Sequence, residues 1–279
     1  MKTDKFLLAL VGCLFFISCD KGYKGFEKAE SGLYYKFYLE NTTKHVPDYD
    51  EIISIFMTIQ TENDSFVQEP KHITIVMQKP KFKGDIFDAL ALMHEGDSAT
   101  FIINAKQYYD KYNYSQIPSF VKDDKTMLWF TIKVDSILSF EQYQTIINNI
   151  RQENELKDML SYMQQNNISA SSSTSGLFYS ETKAGTGNSP KPGQFCTVNY
   201  TGTLLDGTLF DSSIGREPFS FQLGAGQVIQ GWEEGVAMMK KNGKATLIIP
   251  SHLAYGERSM GNIPAYSPLV FEVELIDIK

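Results

Sequence analysis

The feature that most limits what this chain can fold into is a faint internal duplication. Ser31-Gly32-Leu33-Tyr34-Tyr35 returns as Ser175-Gly176-Leu177-Phe178-Tyr179, and Ser98-Ala99-Thr100-Phe101-Ile102-Ile103 as Lys244-Ala245-Thr246-Leu247-Ile248-Ile249. Tyr109 and Ile117-Pro118 return, at one common offset, as Tyr255 and Ile263-Pro264. Leu128-Trp129-Phe130 returns as Leu269-Val270-Phe271. Echoes in a fixed order imply one supersecondary plan used twice. The 279 residues are long enough for two such cores of roughly 100 residues each.

The second copy states the plan more clearly. Residues 197–204 alternate, with Val198 and Tyr200 on one face, and Asp206-Gly207 is a hairpin signal. Residues 219–223 alternate again; Ala245, Leu247 and Ile249 form one apolar strand face, and Leu269, Phe271, Val273 and Leu275 another. Residues 231–239 carry Trp232, Val236 and Met239 at helical spacing. Several antiparallel strands and one short helix predict an α+β domain in which a curved sheet wraps the helix. Between the copies, residues 139–166 lack Gly and Pro and predict a long helix; Phe140, Tyr143, Ile147 and Ile150 mark its apolar face, continued by Leu156, Leu160 and Met163. Residues 169–175, SASSSTS, read as a flexible linker.

The start of the chain reads as a targeting segment. Lys2 and Lys5 precede the twelve-residue run FLLALVGCLFFI, too short to span a bilayer but suited to a signal peptide. Ser18-Cys19 closes it in a manner similar to a lipobox, in which Cys19 would be lipidated; Leu10-Val11-Gly12-Cys13 is the competing match. The expected organisation is a signal peptide (1–18), a lipidated tether (19–30), a first domain (31–138), a linker helix (139–168) and a second domain (169–279). The expected location is a bacterial cell envelope, at the outer membrane, through the lipid anchor. A net charge of −7 argues against nucleic acid as a partner. Of the three cysteines only Cys196 falls in a folded part, in an alternating stretch, as buried filler. The four histidines, His45, His72, His94 and His252, are scattered without metal-ligand spacing, so no metal is expected.

One helix cannot cover a whole sheet, so aromatic residues should line a partly open concavity. Tyr200-Thr201-Gly202, Phe210-Asp211-Ser212-Ser213, Pro218-Phe219, Val228-Ile229-Gln230-Gly231-Trp232-Glu233-Glu234-Gly235, Ala254-Tyr255-Gly256, Ile263-Pro264 and Leu269-Val270-Phe271-Glu272-Val273 together resemble the FKBP-type peptidyl-prolyl cis-trans isomerase family. The resemblance runs from about residue 193 to the end. It implies a proline-binding pocket with Trp232 as floor and Tyr200, Phe210, Phe219, Val228, Ile229 and Phe271 as walls. It also implies polar groups at Asp211 and Tyr255, an Arg216 partner for Asp211, an Ile229 backbone donor, and Ile263 over the rim. Two positions depart from the pattern: Asn262 stands where an apolar residue is common, and Ala265 where a second proline is frequent. The implied activity is isomerisation of X-Pro bonds in polypeptide clients during envelope protein folding, with no cofactor. The alternative is a chaperone-like binding lipoprotein with incidental activity.

The first copy reads as an FKBP-like domain without this chemistry. Gapped alignment places Asp85 at the floor position and Val67 opposite Asp211, and no Trp precedes Trp129. That half is expected to serve client binding or dimerisation, which leaves a homodimer open.

Overall fold

A computed structural model describes residues 22–112, 114 and 116–279. Cys13, Cys19 and the rest of the targeting segment lie outside the described residues. The chain divides into two compact units between Thr145 and Ile146.

The first unit contains β1 (Glu27–Lys28), β2 (Tyr34–Leu39), β3 (Ile52–Thr61), β4 (Phe66–Val76), α1 (Ile86–Leu90), β5 (Ser98–Asn104), α2 (Ala105–Lys111) and β6 (Met127–Leu138). Then comes α3 (Phe140–Gln165), which begins in the first unit and continues into the second. The second unit adds β7 (Ser171–Ser172), β8 (Phe178–Lys183), β9 (Phe195–Leu204), β10 (Leu209–Ser212), β11 (Phe219–Gln222), α4 (Gln230–Met238), β12 (Lys244–Ile249), a 3-10 turn (Ser251–Leu253) and β13 (Leu269–Ile278).

The two sheets have the same antiparallel topology. The first runs β1-β2-β5-β6-β3-β4 and the second β7-β8-β12-β13-β9-β10, with β11 also on β9. The registers agree residue by residue. Phe130 lies between Phe101 and Ile59, as Phe271 lies between Leu247 and Gly202. Met57 faces Ile132 as Tyr200 faces Val273. This is the α+β fold the periodicity predicted, a curved sheet around a short helix, present twice and joined by a long helix.

Local chemistry explains the ends of α3. Ser139 and Gln142 form a reciprocal capping box: Ser139 N donates to Gln142 Oε1 at 2.8 Å, and Gln142 N donates to Ser139 Oγ at 3.2 Å. At the other end Asn167 takes a left-handed conformation (φ 53°) and Ile168 N donates to Met163 O at 2.9 Å.

Its buried face differs from the expected one. Phe140, Ile150, Leu156 and Leu160 are exposed, whereas Glu155, Met159 and Met163 are buried. The reason is that the sheet of the second unit offers an apolar outer face. Met159 and Met163 pack there on Phe178, Ile248 and Val270. Residues 169–175 are also not free linker: Ser171 and Ser172 pair with Tyr179 and Phe178 as an edge strand. Backbone pairing decides this against a side-chain composition that favours flexibility.

Candidate active site

The site grows from glycines that let backbone and rings approach. A Cβ on Gly231 would collide with Ile249, and one on Gly235 with Leu247, so α4 lies directly on β12. That seat drives Trp232 into the concavity of the sheet, where it is 4% exposed. Its ring meets Tyr200 edge-on at 5.0 Å and Phe271 at 5.1 Å. On β9, a Cβ at Gly202 would lie 2.7 Å from the rings of Phe210 and Phe271. Its absence is what lets these rings close one wall, 5.4 Å apart.

The result is a cavity of about 490 Å³. Ten of the sequence-predicted residues line it: Tyr200, Phe210, Asp211 and Phe219 from the strands and their ends, Val228, Ile229 and Trp232 at the start of α4, and Tyr255, Ile263 and Phe271. Ile229 is the N-cap of α4, its carbonyl accepting from Trp232 N at 2.9 Å. Gln227, Met260, Gly261 and Asn262 also line it and were given no lining role from sequence. Gly202 was likewise quoted without a role; the signal for it was a lone glycine inside an alternating strand, which marks close approach. The Trp232 indole Nε1 is buried without a hydrogen-bond partner.

Arg216 lies outside the lining and acts on it through Asp211. Its guanidinium is 2.5 Å from Asp211 Oδ1, and the Tyr200 hydroxyl donates to Oδ2 at 2.5 Å. Ser212 N also donates to Oδ1, at 2.8 Å. Partial burial pushes the Asp211 pKa up, but Tyr200, Arg216 and the Ser212 amide together outweigh it and hold the carboxyl below its ordinary range. Burial, then Asp211, push the Tyr200 hydroxyl up to about 12. One corner thus stays anionic and hydrogen-bonded at the edge of the aromatic walls.

Matching elements in the first unit build a different cavity, about 840 Å³, in which Phe66, Tyr109 and Phe120 stand beside Glu62, Lys122, Asp123 and Lys125 and no Trp is among the lining residues. By register Ile59 stands where Gly202 does and Met57 where Tyr200 does, and both are buried. Tyr108 stacks edge-on against Phe130 at 5.1 Å, and Tyr112 lies 6.4 Å from Phe87. The floor assignment of Asp85 is corrected here. Asp85 is the N-cap of α1, and Phe87 is the buried aromatic inside the helix. Its carboxylate is fully buried and accepts from Phe87 N, Asp88 N, Lys81 N and the Tyr112 hydroxyl. Asp85 holds in α1 the N-cap place that Ile229 holds in α4, so it precedes the floor position instead of occupying it.

His45, Asp48 and Glu51 come within 4.8 Å of one another, which linear spacing did not foretell. His45 Nε2 already meets Glu51 Oε2 at 2.6 Å, and the Asp48 amide donates to that same oxygen at 2.8 Å. This exposed loop cluster is held together by its own hydrogen bonds.

Known proteins match the sequence that builds this site. The family model for FKBP-type peptidyl-prolyl cis-trans isomerases matches residues 187–276. FK506-binding protein 2 of Debaryomyces hansenii is 58% identical over 89 residues, 32% of this chain and 66% of that protein. The FKBP-type peptidyl-prolyl cis-trans isomerase FkpA of Escherichia coli strain K12 is 50% identical over 108 residues, 38% of this chain and 39% of that protein. FK506-binding protein 1 of Dictyostelium discoideum is 54% identical over 99 residues, 35% of this chain and 92% of that protein. The chain thus spans just under two thirds of the first of these relatives, about two fifths of the second and nearly all of the third. Built on the same motifs that close its aromatic box, the chain belongs to the FKBP-type peptidyl-prolyl cis-trans isomerase family.

Proposed function

We propose that the second unit isomerises X-Pro peptide bonds of polypeptide clients, and that the first unit binds clients or a second copy without catalysis. The observation that carries this is the Trp232-floored cavity, walled by Tyr200, Phe210, Phe219 and Phe271, with Asp211, Gln227 and Asn262 as its polar side chains. The barrier to rotation, about 18–20 kcal/mol, is lost amide resonance. No bond breaks, so neither a nucleophile nor a cofactor is required. The planar amide is more dipolar and better hydrated than the twisted one. A box that fixes the prolyl ring on Trp232 and excludes water raises the planar state relative to the twisted one. The Ile229 amide and the Tyr255 hydroxyl serve as donors that hold a carbonyl while the ring stays put. Asp211, tied to Tyr200 and Arg216, keeps the wall in place.

The site residues are then Tyr200, Phe210, Asp211, Trp232, Tyr255 and Phe271, with Arg216, Phe219, Val228, Ile229 and Ile263 shaping substrate binding. The working domain division is 31–138, 139–168 and 169–279. A protease-coupled prolyl-peptide assay tests the reading. Wild-type protein should accelerate the exchange, and Trp232→Ala should lose the acceleration while remaining folded. Calorimetric titration with an FK506-like macrolide should count one site per chain, absent in Trp232→Ala. Two sites, or a site that survives the substitution, would place a working pocket in the first unit. A chain that binds unfolded clients but fails to isomerise in either assay would favour the chaperone reading.

The same proposal places the protein in a bacterial envelope on a lipid attached to Cys19, at the outer membrane. Cys19→Ser should release the chain to the soluble fraction. If Cys13→Ser does so instead, the anchor is at Cys13.

A further inference from the structure

We propose that α3, which touches no part of the cavity, is a strut of the active site, with Glu155 and Arg151 as positioning residues for the loop that carries Tyr255 and Ile263. The proposal rests on the isomerase reading above and deepens it.

The loop between β12 and β13 supplies Tyr255, Met260, Gly261, Asn262 and Ile263 to the cavity. It begins with the 3-10 turn Ser251–Leu253, whose N-cap is Pro250 and has no side-chain cap of its own. A turn start leaves amides that need acceptors. Glu155, 7% exposed, supplies one from a helix 96 residues earlier: its Oε1 accepts from the Ser251 amide and its Oε2 accepts from Ser251 Oγ at 2.7 Å. Ser251 is itself 5% exposed, so its amide and hydroxyl depend on the carboxylate for their hydrogen bonds.

A second grip lies at the far side of the loop. The Arg151 guanidinium sits 3.7 Å over the ring of Tyr266. Tyr266 holds a left-handed backbone (φ 58°), and its amide donates to Gly256 O at 2.7 Å. The Gly256 amide in turn donates to Ser251 O at 2.8 Å. Tyr255 therefore sits in a ring of backbone bonds clamped by α3 at Ser251 and at Tyr266. Met159 and Met163, packed on Phe178, Ile248 and Val270, fix the helix to the outer face of the same sheet. The carboxylate and guanidinium thus set where the Tyr255 hydroxyl stands without meeting substrate. Loss of such a support acts on catalysis through small displacements of the donor.

The test uses the full chain in the prolyl-peptide assay, with fluorescence of Trp232 and Trp129 as a check of folding. Glu155→Ala should lower kcat/KM by ~10-fold, with the loss in kcat and little change in KM. Glu155→Gln, which can still accept from the Ser251 amide, should recover most of it. Arg151→Ala, at the outer grip, should cost ~3-fold. Either loss should nearly vanish in a Tyr255→Phe background, because both residues act through that side chain. Leu160→Ala, on the exposed side of α3, should leave activity unchanged. A folded Glu155→Ala with wild-type kcat would overturn the proposal, as would losses that multiply in full with Tyr255→Phe. If Glu155→Ala does not fold, Arg151→Ala decides the matter by the same cycle, and a wild-type kcat there would overturn the proposal. An inactive wild-type chain would instead sink the isomerase reading itself.

Discussion

The two units repeat one sheet topology and register, yet their cavities differ: that of the second is floored by Trp232, whereas that of the first, about 840 Å³, sets Phe66, Tyr109 and Phe120 beside Glu62, Lys122, Asp123 and Lys125. In the second, Gly202 leaves room between Phe210 and Phe271. In the first, Ile59 occupies the matching strand position and is 3% exposed. In the second, Trp232 lies under open space with its indole Nε1 unpartnered. In the first, Phe87 and Phe130 are met by Tyr112 and Tyr108, and the Tyr112 hydroxyl is tied to buried Asp85. The lesson is that a pocket in this fold is a withheld side chain. At that strand position a β-carbon and its branches put core where the second unit has ring-lined space, and the strand register is the same in both.

The sharpest way to break this comparison is to exchange the deciding residue. Gly202→Ile should drive the Phe210 and Phe271 rings into the cavity and lower kcat/KM by roughly 100-fold, since prolyl seating would be blocked or displaced. Circular dichroism should report a folded domain, with a stability loss of about 1–3 kcal/mol from overpacking. Retained activity would mean that substrate does not use the Phe210–Phe271 wall.

The converse change tests whether the first unit is core at that point. Ile59→Ala should cost about 2–5 kcal/mol in denaturant unfolding of the first unit, and confer no isomerase activity. Asp85→Ala should also destabilise that unit, by roughly 1–3 kcal/mol, because it leaves buried amides and a tyrosine hydroxyl unpaired. A surface-like effect of Asp85→Ala would return that residue to an open floor.

A smaller effect is expected at the polar corner. Asp211→Asn should lower kcat/KM only several-fold, since the apolar box remains. The sign of the pH dependence follows from a carboxyl held below its ordinary value near 3.8. Its contribution to stability is fully present above that unfolded value and is lost as pH falls through the lower folded pKa, and above that range the folded protein keeps the carboxylate ionised. Activity should therefore be level from about pH 5 to 8. A midpoint near neutrality would show that another group controls the site.

The smallest effect concerns Cys196, whose thiol is pushed up to about 11 by burial and then by Glu233. A disulfide reagent at pH 8 should leave Cys196 unmodified in native protein and titrate it at once in guanidinium. Rapid native labelling would mean that β9 opens locally.

What the sequence determined by itself is the part written in periodicities and local chemistry. Alternation in residues 197–204 and 269–275, the helical spacing of Trp232, Val236 and Met239, and the order of the echoes specified a duplicated sheet around a short helix. These signals are legible because a strand or helix must present its apolar side every two or three to four residues, wherever it ends up. The motif string also named most of the cavity lining. Tertiary structure decided the rest. The apolar residues at the start of α3 are exposed while Glu155 is buried, because burial there depends on which outer sheet face the helix meets. Ser171 and Ser172 form a strand because an edge was waiting for their backbone. Asp85 caps a helix, and Gly202 and Ile59 open one concavity and fill the other, through contacts with residues distant in the chain. Such contacts leave no period in the sequence. They exist only once the sheet has fixed which side chains share a space.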